Sequence, residues 1–471
     1  MKNPNMVLYF GSRTIAAIGN FLSVAVFARL VGPAEYGAYI LMFAWAIIIY
    51  GFGTQWMKFA YFGVYRSSQE GILVASYIRL VVVAIVVVAA VLMALGTLIS
   101  LELSFTASLI SLFAGMTIYE AAVEVSRTRL QVRTVALSMV CRTLFVFVLG
   151  YLALALQPSA VMLAFGVSVG HLLAAIPSLL MLRDFRGVAA SRDASVALVR
   201  YGWPLILSFG VFALGQSIDR FLVSHYIGNE VLGPYGVIAD MMRQSYMVVG
   251  ESIALALITV AKRHADEGRQ AESDAVMRSS FRACVVASAF GATFFVLFGN
   301  RIFTVLLGAD FAGLAHGIIP FFAVAFGFMM LRSFYFAQVI YFTNAAFLEL
   351  LIAVVFVATS ALFAVILTPR YGAVGGATSL MIGHGAAFVV AAVIGRKLHT
   401  LPIDWPAAIG ICAAAGVLLG TCLLLSGVVV SQFLLLAIES LLFTAVLIVT
   451  LFLADLLRLV LPERKPLPNA P

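Results

Sequence analysis

Apolar residues along this chain come in long unbroken runs, and charged residues or Gly and Pro bound each run. A helix of about 20 apolar residues is long enough to cross the hydrocarbon core of a bilayer. The pattern predicts an all-α polytopic membrane protein with about fourteen transmembrane helices. The predicted spans are 7–30, 38–62, 73–99, 104–123, 135–156, 160–182, 202–227, 235–260, 281–299, 313–340, 347–368, 372–395, 405–426 and 431–455.

The composition supports the same class of protein. Of the 471 residues, 63% are hydrophobic and 11% are charged, whereas soluble domains carry roughly 25% charged residues. This excludes a soluble enzyme, and the unbroken runs do not fit the alternating strands of a β-barrel. The four cysteines all lie inside apolar runs without a Cys-x-x-Cys pair, so neither a disulfide framework nor a zinc site is expected.

The distribution of Lys and Arg predicts the orientation. Eighteen of them lie on one set of connections and at the termini, whereas the opposite set holds only Arg301 and Arg370. Both termini are therefore expected to be cytoplasmic. The net charge of +8 comes from single or briefly grouped basic residues, which does not favour nucleic-acid binding. The short outer connections leave no room for the large loop expected of a membrane-embedded glycosyltransferase or polysaccharide polymerase.

A Gly-x4-Gly-x-Tyr motif occurs twice, 196 residues apart, in the turn between a first and a second helix. Glycine provides the backbone freedom for a tight turn, and tyrosine is expected at the membrane interface. The motif residues are Gly32, Gly37 and Tyr39 in the first copy and Gly228, Gly233 and Tyr235 in the second.

A second match extends this duplication, because Gly170-His171 corresponds to Gly383-His384. Both copies begin on the same side, so they form a parallel repeat, and two related helical bundles are typical of alternating-access transporters. The predicted organisation is an N-terminal six-helix lobe (1–185), a cytoplasmic linker (186–201), a C-terminal six-helix lobe (202–397), an extra transmembrane helix pair (405–455) and a cytoplasmic tail (456–471).

Ionisable residues inside the spans are the candidate functional residues, because each costs on the order of 2.5–3.5 kcal/mol or more at mid-bilayer. The repeat duplicates the scaffold but not these charges, as a substrate site requires. The candidates are Arg13 and Lys58 in the first two spans, Asp219 and Arg220 in the seventh, and Asp240, Arg243 and Glu251 in the eighth.

These residues admit more than one role. Asp219 with Arg220, and Asp240 with Arg243, fit either structural ion pairs between helices or parts of a functional site. Arg142 is expected to lie near the cytoplasmic end of its span and to extend towards the headgroups.

Three segments resemble the polysaccharide-transporter family: ARLVGPAEYGAY (28–39), SIDRFLVSHYIG (217–228) and PRYGAVGGA (369–377). This family belongs to the MOP superfamily, which includes the MATE exporters, and contains flippases for lipid-linked oligosaccharides. The resemblance implies a bacterial inner-membrane protein that moves an undecaprenyl-pyrophosphate-linked repeat unit to the periplasmic leaflet, for O-antigen or exopolysaccharide synthesis. Expected partners are that lipid-linked oligosaccharide, membrane lipids, and polysaccharide polymerase and assembly proteins.

The resemblance also implies site residues. Relatives take cavity cations from the first, second and eighth spans, where Arg13, Lys58 and Arg243 lie here, and Arg220 is a further candidate. Lys58 stands where arginine is expected, which weakens the case for bidentate phosphate binding. The last helix pair is expected to form a groove for the lipid tail, and Glu439 within it has no evident role.

The motifs and charges of the chain also bear on the energy source for transport and on alternative functions. It has no Gly-x4-Gly-Lys-Ser/Thr motif for ATP, so no cofactor is expected, and H⁺ or Na⁺ coupling through Asp219, Asp240 or Glu251 is the prediction. The main alternative is a cation-coupled multidrug exporter of the same superfamily, which the first-lobe cations disfavour. An alternative from another class is a membrane polysaccharide polymerase or glycosyltransferase.

Overall fold

The computed structural model describes residues 4–343, 347–427 and 431–456, and the side chains of 4–10, 13, 14 and 341 lie outside this description. Within these ranges the chain is helical and contains no strand, which confirms the all-α class. The helices are α1 (Pro4–Val31), α2 (Pro33–Tyr50), α3 (Trp56–Val64), α4 (Glu70–Leu98), α5 (Leu103–Thr128), α6 (Val132–Leu156), α7 (Ala160–Met181), α8 (Arg192–Gly215), α9 (Ile218–Tyr226), α10 (Asn229–Ile253), α11 (Thr259–Asp266), α12 (Gln270–Leu307), α13 (Ala309–Ala312), α14 (Ala315–Phe334), α15 (Phe347–Leu398), α16 (Trp405–Ser426) and α17 (Gln432–Leu453).

The predicted spans all coincide with helices, although not one to one. Twelve helical stretches in the described ranges are long and apolar enough to cross a membrane, and 15–31 of α1 forms a shorter apolar helix. The 52-residue α15 contains two predicted spans joined at Gly372, whose φ of 60° and ψ of −140° break the helical geometry. Conversely, the predicted seventh span is divided between α8 and α9.

The chain divides into two compact units. The first comprises Met1–Ile238, Thr304–Leu314 and Ser360–Gly376, and the second comprises Ala239–Phe303, Ala315–Thr359 and Ala377–Pro471. The helices α10, α12 and α15 each contribute to both units.

A π-helical segment interrupts the second helix of each predicted lobe. One covers Gly51–Gln55, between α2 and α3, and the other covers Ala254–Ile258, between α10 and α11. Short π segments inside α-helices widen the turn and are frequent at functional sites. Each segment adjoins a candidate charge, because Lys58 follows the first and Glu251 precedes the second.

The two repeated glycine turns pack against each other in the first unit. Gly32 and Gly228 adopt φ values of 79° and 108°, a region that glycine enters without steric cost. A Cβ on Gly37 would lie 1.9 Å from the carbonyl oxygen of Asn229, and one on Gly233 would lie 2.1 Å from that of Pro33. The contacts are reciprocal, because Pro33 and Asn229 are themselves 196 residues apart. The duplicated glycines thus allow the backbones of α2 and α10 to touch.

The tyrosines of this motif are buried within the protein. Tyr235 is fully buried and Tyr39 is 9% exposed. The Tyr39 ring packs 5.7 Å from that of Tyr36 and 6.0 Å from that of Phe43. Aromatic packing within the protein therefore holds this tyrosine.

In the second unit, two ion pairs attach the last helix pair to α12. Arg282 donates from Nε to Asp404 Oδ2 at 2.7 Å and from Nη1 to the carbonyl oxygen of Ala454 at 3.2 Å. Nearer the other end of α12, Arg301 pairs with Glu439, which is 3% exposed. Glu439, which has no evident role in the sequence, therefore neutralises an arginine on a neighbouring helix.

We expect Gly37→Ala to destabilise the protein, because the new Cβ would collide with backbone atoms that cannot rotate away. Overpacking of this kind costs about 1–3 kcal/mol, and thermal unfolding in detergent measures it. The control is Gly410→Ala in α16, where a Cβ meets nothing within 4 Å, so that the midpoint should stay or rise. Equal midpoints for the two variants would contradict the close backbone contact.

The Asp404 ion pair predicts a specific pH dependence. Burial raises the pKa of this carboxyl, but the N–H of Ala407 and the Arg282 guanidinium outweigh burial and hold the pKa below its usual value. The stabilisation is thus complete above the unfolded pKa of about 3.9 and is lost as pH falls through the lower folded value. The difference in unfolding midpoint between wild type and Asp404→Asn should be constant from pH 7 to 5 and shrink below about pH 4. A difference that already shrinks between pH 7 and 5 would contradict this account.

Candidate functional site

The sequence-predicted cation Lys58 is paired with an acid from another helix. Its Nζ lies 3.0 Å from Oε2 of Glu120, and the two side chains are 16% and 25% exposed. Lys58 stands on α3, just after the π segment, whereas Glu120 stands on α5, about 12 Å from the end of that helix. Both residues therefore lie within their predicted spans, Lys58 four residues and Glu120 three residues from the span end.

Arg142 joins this pair. Its Nη1 lies 3.9 Å from Oε1 of Glu120, and its guanidinium lies 5.2 Å from the centre of the Tyr119 ring. Arg142 is ten residues into α6, about 15 Å along the helix axis. The contacts that the structure shows for its guanidinium are with Tyr119 and Glu120.

Lys58, Glu120 and Arg142 form the Glu120 cluster, in which two cations share one carboxylate. With all three groups ionised, the cluster carries one net positive charge. The Lys58 ammonium also lies 5.8 Å from the Tyr50 ring centre and 5.5 Å from that of Phe59. Aromatic faces near both cations provide attraction that does not depend on the carboxylate.

One helical turn further along α5, a second acid has a partner of its own. Glu124 lies 2.8 Å from Arg127, with side-chain exposures of 8% and 47%. This pair is balanced in charge and local to one helix, so it differs from the Glu120 cluster although it lies on the same helix.

The seventh-span candidates Asp219 and Arg220 are 4% and 5% exposed. The hydroxyl of Tyr235, the motif tyrosine, donates to Oδ2 of Asp219 at 3.0 Å. This bond joins α9 to α10 within the first unit, and it is consistent with a structural role for the Asp219 carboxylate.

The eighth-span candidates lie on α10 in the second unit. Arg243 Nη2 and Asp240 Oδ1 are 2.6 Å apart, and the side chains are 28% and 32% exposed. This pair links residues one turn apart on a single helix. Glu251 is half-buried further along α10.

The Arg13 side chain, the candidate cation of the first span, lies outside the described residues.

The sequence alone did not assign Glu120 or Arg142 to a site. Their proximity depends on how α3, α5 and α6 pack, which no spacing along the chain specifies. A signal for Glu120 existed, because an acid in the apolar fourth span calls for a partner. Across the described residues, no group of three His, Cys, Asp or Glu is placed to hold a metal ion.

The fold is that of MOP-superfamily transporters. The structure aligns with a lipid II flippase MurJ in an inward closed conformation at a TM-score of 0.75 and 12% identity, covering 96% of this chain and 100% of that one. It aligns with an inward-facing multidrug resistance MATE transporter at a TM-score of 0.61 and 14% identity, covering 83% and 97% of the two chains. A MOP-superfamily transporter from Pyrococcus furiosus, whose binding pocket is described as having reverse polarity, aligns at 0.56 and 14% identity over 83% and 93%.

Residues 4–260 match the family model described as polysaccharide biosynthesis protein. This match covers more than half of the chain, so the chain belongs to that family, and the family resemblance noted in the sequence is confirmed. No curated protein matches the chain by sequence.

The Glu120 cluster predicts a measurable coupling between Lys58 and Glu120. Removing one partner leaves the charge of the other half-buried and less compensated. The double variant Lys58→Gln/Glu120→Gln should therefore lose less unfolding free energy than the two single variants lose in sum. We expect a coupling free energy of about 0.5–3 kcal/mol in a double-mutant cycle of unfolding.

The control cycle is Lys262 with Asp266, an exposed pair at 2.6 Å with side-chain exposures of 41% and 60%. Exposed pairs on one helix contribute roughly 0.3–0.5 kcal/mol. A Lys58–Glu120 coupling no larger than that of the control would show that the cluster is not held by its charges.

Proposed function

We propose that this chain is a flippase that moves an undecaprenyl-pyrophosphate-linked oligosaccharide from the cytoplasmic to the periplasmic leaflet by alternating access. The observation that carries the proposal is the Glu120 cluster, where Lys58 and Arg142 share a single carboxylate. Excess positive charge within the predicted spans suits an anionic pyrophosphate, which cannot cross hydrocarbon unaided. Arg142 supplies the guanidinium geometry for phosphate that Lys58 lacks.

The last helix pair supports a place for the lipid tail. A groove of about 330 Å³ lies between α16 and α17, and its walls are apolar apart from Thr421. The Arg282 and Arg301 ion pairs fix this helix pair to α12, so the groove is attached to the second unit at both ends. A polyprenyl chain in this groove would bury apolar surface, which lowers its free energy while the sugar headgroup moves.

The repeat supports alternating access. In other transporters with internal repeats, alternating access results from the movement of one helical bundle against the other. We propose H⁺ or Na⁺ coupling through Asp240 or Glu251, with Asp219 as the third candidate because its carboxylate already accepts the Tyr235 hydroxyl. The proposed setting is the bacterial inner membrane with both termini cytoplasmic, beside polysaccharide polymerase and assembly proteins.

The test is complementation of a strain that lacks the gene. The deletion should accumulate polyprenyl-pyrophosphate-linked repeat units, and wild type should clear them. Lys58→Gln and Arg142→Gln should each lower clearance at least tenfold at equal expression, because each removes a proposed phosphate contact. The control is Arg263→Gln, whose side chain is 80% exposed and should clear normally.

Two results would contradict the proposal. One is a deletion strain with normal levels of lipid-linked intermediates. The other is increased resistance to cationic drugs on overexpression, which would favour the multidrug exporter that the likeness to MATE transporters keeps as the second candidate.

A further inference from the structure

Glu120 occupies the position that a bound anion would take. Its two oxygens divide between two cations, with Oε2 at 3.0 Å from Lys58 Nζ and Oε1 at 3.9 Å from Arg142 Nη1. A phosphate group bound to both cations would need the same space. The ligand and Glu120 must therefore compete for the same two partners.

The outcome of this competition depends on the charge of the ligand. Two cations and one carboxylate sum to one net positive charge. A monoanion that displaces the carboxylate leaves the sum around the cations unchanged, and it also leaves Glu120 without its partners. A dianion neutralises both cations at once, which compensates for the lost Glu120 contacts because buried charges gain most from full pairing.

The competing acid and its two cations stand on three separate helices. Glu120 is on α5, whereas Lys58 is on α3 and Arg142 is on α6. The cations keep their aromatic neighbours, Tyr119 at 5.2 Å from Arg142 and Phe59 at 5.5 Å from Lys58. Both would remain in place for the ligand, and such preorganisation favours binding.

We propose that Glu120 is a specificity-determining residue that admits dianionic pyrophosphate diesters and rejects the monoanionic headgroups of ordinary phospholipids. This inference rests on the proposed function, because it assumes that the cluster binds the substrate phosphates. Rejection is needed because anionic phospholipids fill the cytoplasmic leaflet and reach any site open to lipid. An unfavourable element against the wrong ligand is a general route to specificity.

The experiment measures binding to the full-length protein in phosphatidylcholine-containing micelles. The probe is radiolabelled farnesyl-pyrophosphoryl-N-acetylglucosamine, a dianionic diester, and the competitor is dioleoylphosphatidylglycerol, a monoanion. Wild type should bind the probe, and Lys58→Gln should weaken that binding at least tenfold. In Glu120→Gln, probe binding should be unchanged or tighter, while the phosphatidylglycerol concentration that halves it should fall at least tenfold.

The matched control is Glu124→Gln, the same substitution one turn along α5, where the carboxylate forms its ion pair with Arg127. In this variant, the phosphatidylglycerol concentration that halves probe binding should equal that of wild type. Glu120→Asp, which keeps the charge, should restore rejection of phosphatidylglycerol, and this separates a charge effect from a folding defect. Size-exclusion profiles should match for all variants.

The outcomes separate the two proposals. Suppose that wild type binds the probe in a Lys58-dependent way, but that the phosphatidylglycerol concentration that halves probe binding in Glu120→Gln is within twofold of the wild-type value. The role of Glu120 is then overturned and the proposed function stands. Loss of probe binding in Glu120→Gln would likewise overturn that role. If wild type does not bind the probe, or binds it independently of Lys58, the proposed function fails and this inference fails with it.

Discussion

The central constraint on this structure is that a charge inside a bilayer needs a partner, because hydrocarbon offers it no solvation. The chain meets this constraint in two ways. On α12, Arg282 and Arg301 each form an ion pair with one acid, and these pairs hold the last two helices against α12. In the Glu120 cluster, two cations have one acid between them. The first arrangement is balanced, whereas the second keeps a positive excess, to which the proposed function assigns an anionic ligand.

The same constraint explains why duplicated backbone and unduplicated charge coexist. The repeated glycines bring Pro33 and Gly37 against Asn229 and Gly233, which requires both copies of the motif and tolerates no side chain. Charges follow no such symmetry, and under the proposed function a substrate with one pyrophosphate needs only one cationic site. The first unit therefore carries a cluster with excess positive charge, and the described part of α10 in the second unit carries the balanced Asp240–Arg243 pair.

The sequence predicted the fold well because span length and the periodic placement of glycine are local signals. It identified Lys58 as a site candidate and Gly32 and Gly228 as turn residues, whereas Gly37 and Gly233, also predicted in the turns, lie inside α2 and α10. It did not predict that Arg142 meets Glu120, that Glu439 meets Arg301, or that the motif tyrosines are buried. Each of these depends on contacts between helices far apart in sequence, and intramembrane charge cost indicates only that a partner exists, without naming it.

Native mass spectrometry of the purified protein tests the account most directly, because it asks what the cationic cluster retains from the cell. The account predicts a bound lipid whose mass fits a polyprenyl-pyrophosphate glycan, and its loss from the Lys58→Gln and Arg142→Gln variants. Retention of ordinary phospholipid alone by the wild-type protein, with the same spectrum for both variants, would contradict it.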